Sequence, residues 1–409
     1  AFLFFGFLGA CLAGHAATHV VNGTDSIQAA IDAASSGDKI FVNPGFYSEN
    51  LMVDGKAIEI RGLGATRPRS LGLTVKNVNG AFRISHFKVN DNPDWQLEVI
   101  DSNNVTFEDF NGTEVNATRS NLTMKNCQLP KSLSVNSGSL KLLKSTVTEN
   151  VEVNHPVDHN GADTQLVVLQ STIGEDLRAK AKRSWVCYNT IRQGYFEGTV
   201  DITGNEFNGR ENFAGVGIDL NGTTTAKIRN NLIRKYKKNE NGNQNEKFIG
   251  IIVREGVKAT ITNNVIYDCT DTRNLGVNVN CGMGIFVKPG AGTTVIMGNA
   301  IWGCFDSSYN KTGGNRLVHA PNTVNLSYNN LKASTPTSGG VINVSELNVD
   351  QGWTGGSGIN YFQLASNSQL IDKGPPDARY NDRDGSRNDI GMFGGHEFIP
   401  NGMTTDKPI

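Results

Sequence analysis

DITGNEF (201–207), KIRNNLI (227–233), TITNNVI (260–266), VIMGNAI (295–301) and NLSYNNL (325–331) repeat one short pattern. In each, an apolar residue is followed three positions later by Asn and two further on by another apolar residue. The triplets are Ile202/Asn205/Phe207, Ile228/Asn231/Ile233, Ile261/Asn264/Ile266, Ile296/Asn299/Ile301 and Leu326/Asn329/Leu331, with Val186/Asn189/Ile191 as a sixth. Successive first members lie 16, 26, 33, 35 and 30 residues apart, so the pattern is constant while the connections vary. A unit too short to bury its own apolar side needs copies above and below it. An Asn at a turn between two strands can bond to the Asn of the next turn, about 4.8 Å away, and so satisfy an inward polar group. An antiparallel sandwich would not place Asn at one fixed point of every strand. The expectation is an all-β chain, a single-stranded right-handed parallel β-helix (solenoid) with an N-terminal capping helix.

Earlier turns keep the offsets with other corner residues: Met124/Cys127/Leu129, Leu142/Ser145/Val147 and Val168/Ser171/Ile173. In Ile84/Phe87/Val89 and Phe107/Phe110 the corner is aromatic, and Phe87 and Phe110 are expected to stack inside. DSIQAAIDAASSG (25–37) predicts a short amphipathic helix capped by Asp25, with Gln28 completing a capping box and Gly37 ending it. Such a helix covers the open end of a stacked core. The polar stretch 234–247 predicts an exposed loop. The expected organisation is an apolar N-terminal segment over 1–20, the stacked coils over 21–335 and a closing segment over 336–409.

SIQAAIDAASSGDKIFVNPGFYSENLMV (26–53), the Asn-containing turns and the closing stretch 366–395 together resemble the pectin-lyase-like right-handed parallel β-helix superfamily. That resemblance implies a fold and leaves the activity open, because such proteins include polysaccharide lyases, glycoside hydrolases, adhesins and structural proteins.

Bulk properties narrow the choice. Lys plus Arg number 38 against 39 Asp plus Glu, which gives no support for nucleic-acid binding. Six Cys in 409 residues do not make a disulfide scaffold. Cys269 and Cys304 each follow a repeat Ile by three residues, so they are expected to stack on neighbouring turns as a candidate disulfide. Nine Asn-x-Ser/Thr sequons occur, at Asn22, Asn104, Asn111, Asn116, Asn121, Asn221, Asn310, Asn325 and Asn343; all but Asn22 and Asn325 are the stronger candidates for glycosylation. The opening apolar run, 14 residues long, is short for a membrane span. It reads as the tail of a secretion signal, as a lipoprotein leader with an acylated Cys11, or as an element of self-assembly.

A second register aligns GIDLNG (217–222), GIIVREG (250–256) and GIFVKPG (284–290). Strand alternation turns Asp219, Ile252 and Phe286 outward, with Arg254 and Lys288 as neighbours on adjacent turns. The resemblance implies lyase chemistry, in which Lys or Arg removes the proton alpha to a uronate beside a calcium ion. Arg254 and Lys288 are therefore the catalytic candidates, but the acidic cluster for a metal is missing. Paired carboxylates for hydrolysis are not evident either. DRDG (382–385) reads as a turn rather than a calcium loop. No cofactor is expected, with calcium the one candidate.

The first functional expectation is an extracellular, non-enzymatic surface or assembly protein, structural or adhesive. The alternatives are a polysaccharide lyase acting on an acidic glycan and a carbohydrate-binding protein without turnover, using the face of Asp219, Ile252, Arg254, Phe286 and Lys288. The expected partners are further copies of the chain or a surface polysaccharide, with no nucleic acid, and a membrane only through a lipid at Cys11.

Overall fold

The computed structural model describes residues 16–90, 97–154, 164–211, 213–238, 247–272, 282–306, 314–334, 337–344, 346–355 and 358–396. Almost all regular structure is strand, and neighbouring strands are parallel and in step. Ile228 pairs with Ile261, Ile261 with Ile296, and Ile296 with Leu326. A second row runs Ile233, Ile266, Ile301 and Leu331. A third runs Ile218, Ile251, Ile285 and Val318. The three rows face one interior, and every member is 0–1% exposed. Fully burying each such side chain contributes roughly 1.5–3 kcal/mol. Among the described strands only Phe305–Asp306 with Gly314–Asn315 pairs antiparallel, and a single antiparallel bridge joins Trp353 to Leu364.

The expected single-stranded right-handed parallel β-helix (solenoid) requires correction. The strands join into one hydrogen-bonded sheet of 34, and that sheet closes on itself. The strand Thr172–Cys187 is 16 residues long and pairs in turn with Thr146–Val147, Val151–Asn154 and Gln165–Leu169. Through it, Val105–Asn111, Asn121–Lys125, Ser139–Leu143, Gln165–Leu169, Thr172–Cys187, Thr146–Val147 and Gln128–Leu129 form a closed ring of seven strands. The remaining strands continue from this ring. The corners account for the difference. Irregularities at Ile173/Asp176 and Lys180/Arg183 bend the chain without ending its ladder, where the sequence reading expected each corner to end a strand. The architecture is a closed tube of parallel strands.

One corner carries a continuous chain of hydrogen bonds. The Cys127 backbone N–H donates to Ser145 Oγ at 3.0 Å, Ser145 N–H to Ser171 Oγ at 3.1 Å, and Ser171 N–H to Asn189 Oδ1 at 2.8 Å. Asn189, Asn205, Asn231, Asn264 and Asn299 then each donate backbone and side-chain N–H groups to the Oδ1 of the next Asn, at 2.9–3.0 Å. The repeats carry no sign of the group on which this ladder ends. Asn329 donates to both carboxylate oxygens of Glu346, at 3.1 Å each. The residue before each inner corner has positive φ, as at Asn126, Lys144, Gln170, Tyr188, Asn230, Asn263 and Tyr328, so consecutive side chains point out and then in. Phe87 and Phe110 hold the same corner at the start and are fully buried neighbours.

The glycines of the second register have a packing cause. A Cβ on Gly250 or Gly284 would lie 2.8 Å from Ile266 Cγ2 or Ile301 Cγ2 respectively. Glycine there lets the corner side chains, including Cys269 and Cys304, fill the interior. At the N-terminal end a strand, Thr18–Val21, precedes the helix Ile27–Ala33. The helix is capped by Ser26, which accepts from Ala29 N–H, and not by Asp25 as expected. Gln28 reaches Asp32 and Met52 instead of closing a capping box. Ile27 and Ile31 belong to the main core. The stretch expected as a loop begins as the strand Leu232–Lys238.

After the strand Thr337–Val344 the chain returns along the side of the tube. Trp353, Phe362, Leu370, Ile390 and Met392 pack on Leu232, Val265 and Ala300. The outward Asn of each Asn-Asn pair fixes this segment. Asn230 donates to the carbonyls of Met392 and Gly394 at 3.0 and 2.6 Å, and Asn263 donates to Asn388 Oδ1 at 2.9 Å.

Two outcomes follow. Asn264→Leu leaves the Asn231 donors without their acceptor and should lower stability by roughly 1–3 kcal/mol in urea, whereas an unchanged midpoint would place Asn264 outside the ladder. Glu346 is pushed up from 4.5 to about 7 by burial, so its ionisation opposes folding. Its contribution is most favourable below the ordinary glutamate range and is lost as pH rises towards 7. The urea midpoint of the native chain should therefore fall across that window more steeply than that of Glu346→Gln; equal slopes would contradict the burial of this carboxyl.

Candidate functional site

The outer face expected to bind ligand is built from one register. Tyr195, Asp219, Ile252, Phe286, His319 and Ser338 succeed one another on neighbouring strands. The structure brings the predicted residues together but distributes their roles differently. Arg254 Nε and Nη2 donate to the two oxygens of Asp219 at 2.6 and 2.7 Å. This Asp219 hydrogen bond, more than any other influence, raises the Arg254 pKa, so Arg254 stays charged and cannot act as a base. Phe286, expected to be exposed, is 8% exposed and Ile252 is 3%. With Val216, Ile249 and Met283 they form an apolar cluster separate from the tube's core.

Lys288 differs from Arg254. Its ammonium lies 5.9 Å from the Phe286 ring centroid, and among the described residues it has no carboxylate partner. Burial, and then the neighbouring Arg254 charge, lower its pKa from 10.5. His319 packs on Phe286 at 5.2 Å, and its Nδ1 meets Ser338 Oγ at 2.8 Å. Burial and then Arg316 push His319 down to about 4, so the ring is neutral at neutral pH. The face therefore offers one unneutralised cation among apolar and neutral groups.

The other predicted residues fall elsewhere. Cys269 and Cys304 are buried free thiols on neighbouring turns, with burial pushing Cys269 far up. Asn22, Asn104, Asn121, Asn221 and Asn325 are exposed, whereas Asn111 and Asn116 are half-buried. Asn310 and the apolar run with Cys11 lie outside the described residues. No described helix is long and apolar enough to cross a membrane. Asp382 and Gly385 close a turn, and no group of three or more metal-ligating side chains occurs among the described residues.

A cleft of about 450 Å³ near the N-terminal end was not foreseen. It is lined by Glu59, Arg61, Ser85, His86, Glu108 and Asp109 among others. His86 and Asp109 occupy the outward corner position, at φ 51° and 50°, on successive turns. His86 Nδ1 is 2.6 Å from Asp109 Oδ2, and Arg67 braces the same carboxylate. Burial would raise Asp109, but hydrogen bonds from His86 and Arg67 outweigh it and hold the group below its usual range. His86 Nε2 is buried with no hydrogen-bond partner. The signal available in sequence was SHF aligned with EDF at the two aromatic corners, each placing a polar residue just before the inward Phe.

No family model matches the chain, and no curated protein matches it. Among solved structures, the crystal structure of pectate lyase Pel9A aligns with 93% of this chain and 96% of its own, at 12% identity and a TM-score of 0.30. A likeness that low carries neither fold nor chemistry. The expected membership of the pectin-lyase-like superfamily is corrected by the closed ring of strands, which replaces the expected solenoid. The surface or assembly role, the lyase and the carbohydrate-binding protein were inferred from that fold and fall with it.

The Asp219–Arg254 pair has an asymmetric expected response. Asp219 is 3% exposed and Arg254 34% at the side chain. Arg254→Met strands a buried carboxylate and should cost roughly 3–5 kcal/mol. Asp219→Asn leaves Arg254 able to reach water and should cost less. Urea midpoints for the two variants check this, and the reverse order would contradict the burial.

Proposed function

We propose that the chain binds a small organic carboxylate on its outer face, with Lys288 as the anchoring cation. The observation that carries this reading is the Lys288 ammonium, 5.9 Å from the Phe286 ring centroid and without a carboxylate of its own. Arg254 is already neutralised by Asp219, and His319 is held neutral, so neither competes for an anion. A monoanion with an apolar body matches one partly desolvated cation beside apolar side chains better than a polyanion does.

Benzoate and acetate titrated by calorimetry test the reading. Saturable binding is expected, tighter for benzoate, lost in Lys288→Met and kept in Lys258→Met. Absence of saturation, or equal affinity in Lys288→Met, would overturn it. Binding needs the protonated amine, whose pKa is depressed from 10.5. Affinity should therefore be full below that depressed value and vanish on raising the pH, earlier than for an ordinary lysine.

A further inference from the structure

The cleft at His86 is lined by Glu59, Glu108, Asp109, Arg61 and Arg83, and its charges can be followed pair by pair. Arg83 lies between Glu59, at 4.0 Å, and Glu108. Lys125 also meets Glu108, at 2.9 Å, and Lys39 meets Glu59, at 3.7 Å. Arg67 is committed to Asp109. Every carboxylate that faces the cleft is therefore neutralised, and Arg61 remains over. Among the described residues Arg61 has no hydrogen-bond or ion-pair partner, and its side chain is exposed in the cleft wall. Pairing sets Arg61 beside Ser85, the residue before His86. Arg61, a cation without a counterion, and His86, whose buried Nε2 has no partner, thus both line one cavity, whose volume of about 450 Å³ is that of a small-ligand site.

The imidazole is fixed in direction. Nδ1 is turned to Asp109, which stays ionised, so Nδ1 carries the proton and Nε2 is the atom left for a ligand. A buried polar atom left unpaired is costly, and such an atom in a native fold calls for an occupant. Gly62 keeps the strand beside His86 close, since a Cβ there would lie 2.0 Å from the His86 carbonyl oxygen. The site is therefore set by backbone packing as well as by charge.

We infer that this cleft binds an oxyanion, the phosphate or sulfate group of a small molecule, between the Arg61 guanidinium and His86 Nε2. The doubly protonated ring donates from Nδ1 to Asp109 and from Nε2 to the oxyanion. The neutral ring turns a lone pair towards the anion and repels it. Binding at Nε2 is thus coupled to the presence of a proton on that nitrogen. The charges that face the ring and set this coupling are Asp109 and Glu108 on its one neighbour, Glu59 and Arg61 on the other, and Arg67, Arg83 and Lys125 around them.

Sodium sulfate titrated into the ¹⁵N-labelled chain, at ionic strength held constant with chloride, tests this by the His86 ring resonances. Sulfate does not titrate near neutrality, so any pH dependence belongs to the protein. A saturable shift at Nε2 is expected, stronger at acid than at alkaline pH. Arg61→Gln should weaken binding about tenfold, equivalent to about 1.4 kcal/mol. His86→Gln keeps a donor towards Asp109 and should bind with little pH dependence, while circular dichroism confirms that both variants fold. Phenyl phosphate and phenyl sulfate, compared in a second arm, identify the natural group by the tighter of the two. No saturable shift, wild-type affinity in Arg61→Gln, or a pH-independent affinity in the native chain would each overturn the inference. Lys288→Met should bind sulfate as the native chain does, which separates this site from the carboxylate site on the other face.

Discussion

Everything in this structure depends on a corner at which two consecutive residues point in opposite directions. The first adopts positive φ and faces out; the second returns to the interior with a side chain that must be apolar or hydrogen-bonded. Ser and Asn meet that requirement by accepting the backbone N–H of the turn before, so each turn satisfies its predecessor. The chain of bonds is directional, and it ends on a group whose two oxygens accept. The Glu346 carboxylate does this for Asn329. The same burial that makes it a good terminus holds its proton up to about 7.

The outward half of the corner is free of that duty and carries the specific features of the molecule. Near one end it holds His86 and Asp109, linked to one another and to Arg67. Further along it holds Asn230 and Asn263, which fasten the returning C-terminal segment by its carbonyls and by Asn388. That segment also covers apolar surface: Tyr267 and Trp302 stack at 4.9 Å, and Trp353 and Phe362 close over them. A corner residue that need not serve the core can therefore dock a segment or face a ligand, with the stack fixing its position.

The inward half was legible in the sequence because its constraint is strict. Asn205, Asn231, Asn264, Asn299 and Asn329 can be read directly, and Ser145, Ser171 and Cys127 follow by offset. The closure of the sheet was not legible, because bulges at Ile173/Asp176 and Lys180/Arg183 leave no periodic trace. Alternation placed Phe286 and Ile252 outward correctly but could not show that they are buried in a cluster of their own. It also paired Arg254 with Lys288, whereas the two-toothed bond to Asp219 takes Arg254 out of play. His86 and Asp109 lie 23 residues apart, and only the register joins them.

The most direct test of the corner is hydrogen exchange at single amides in Asn264→Ala. The Asn231 N–H donates to Asn264 Oδ1, whereas the Asn299 N–H donates onward to Asn329 Oδ1. A directional ladder predicts that the Asn231 amide loses most of its protection while the Asn299 amide keeps it. Equal loss at both, or no change at Asn231, would contradict the account.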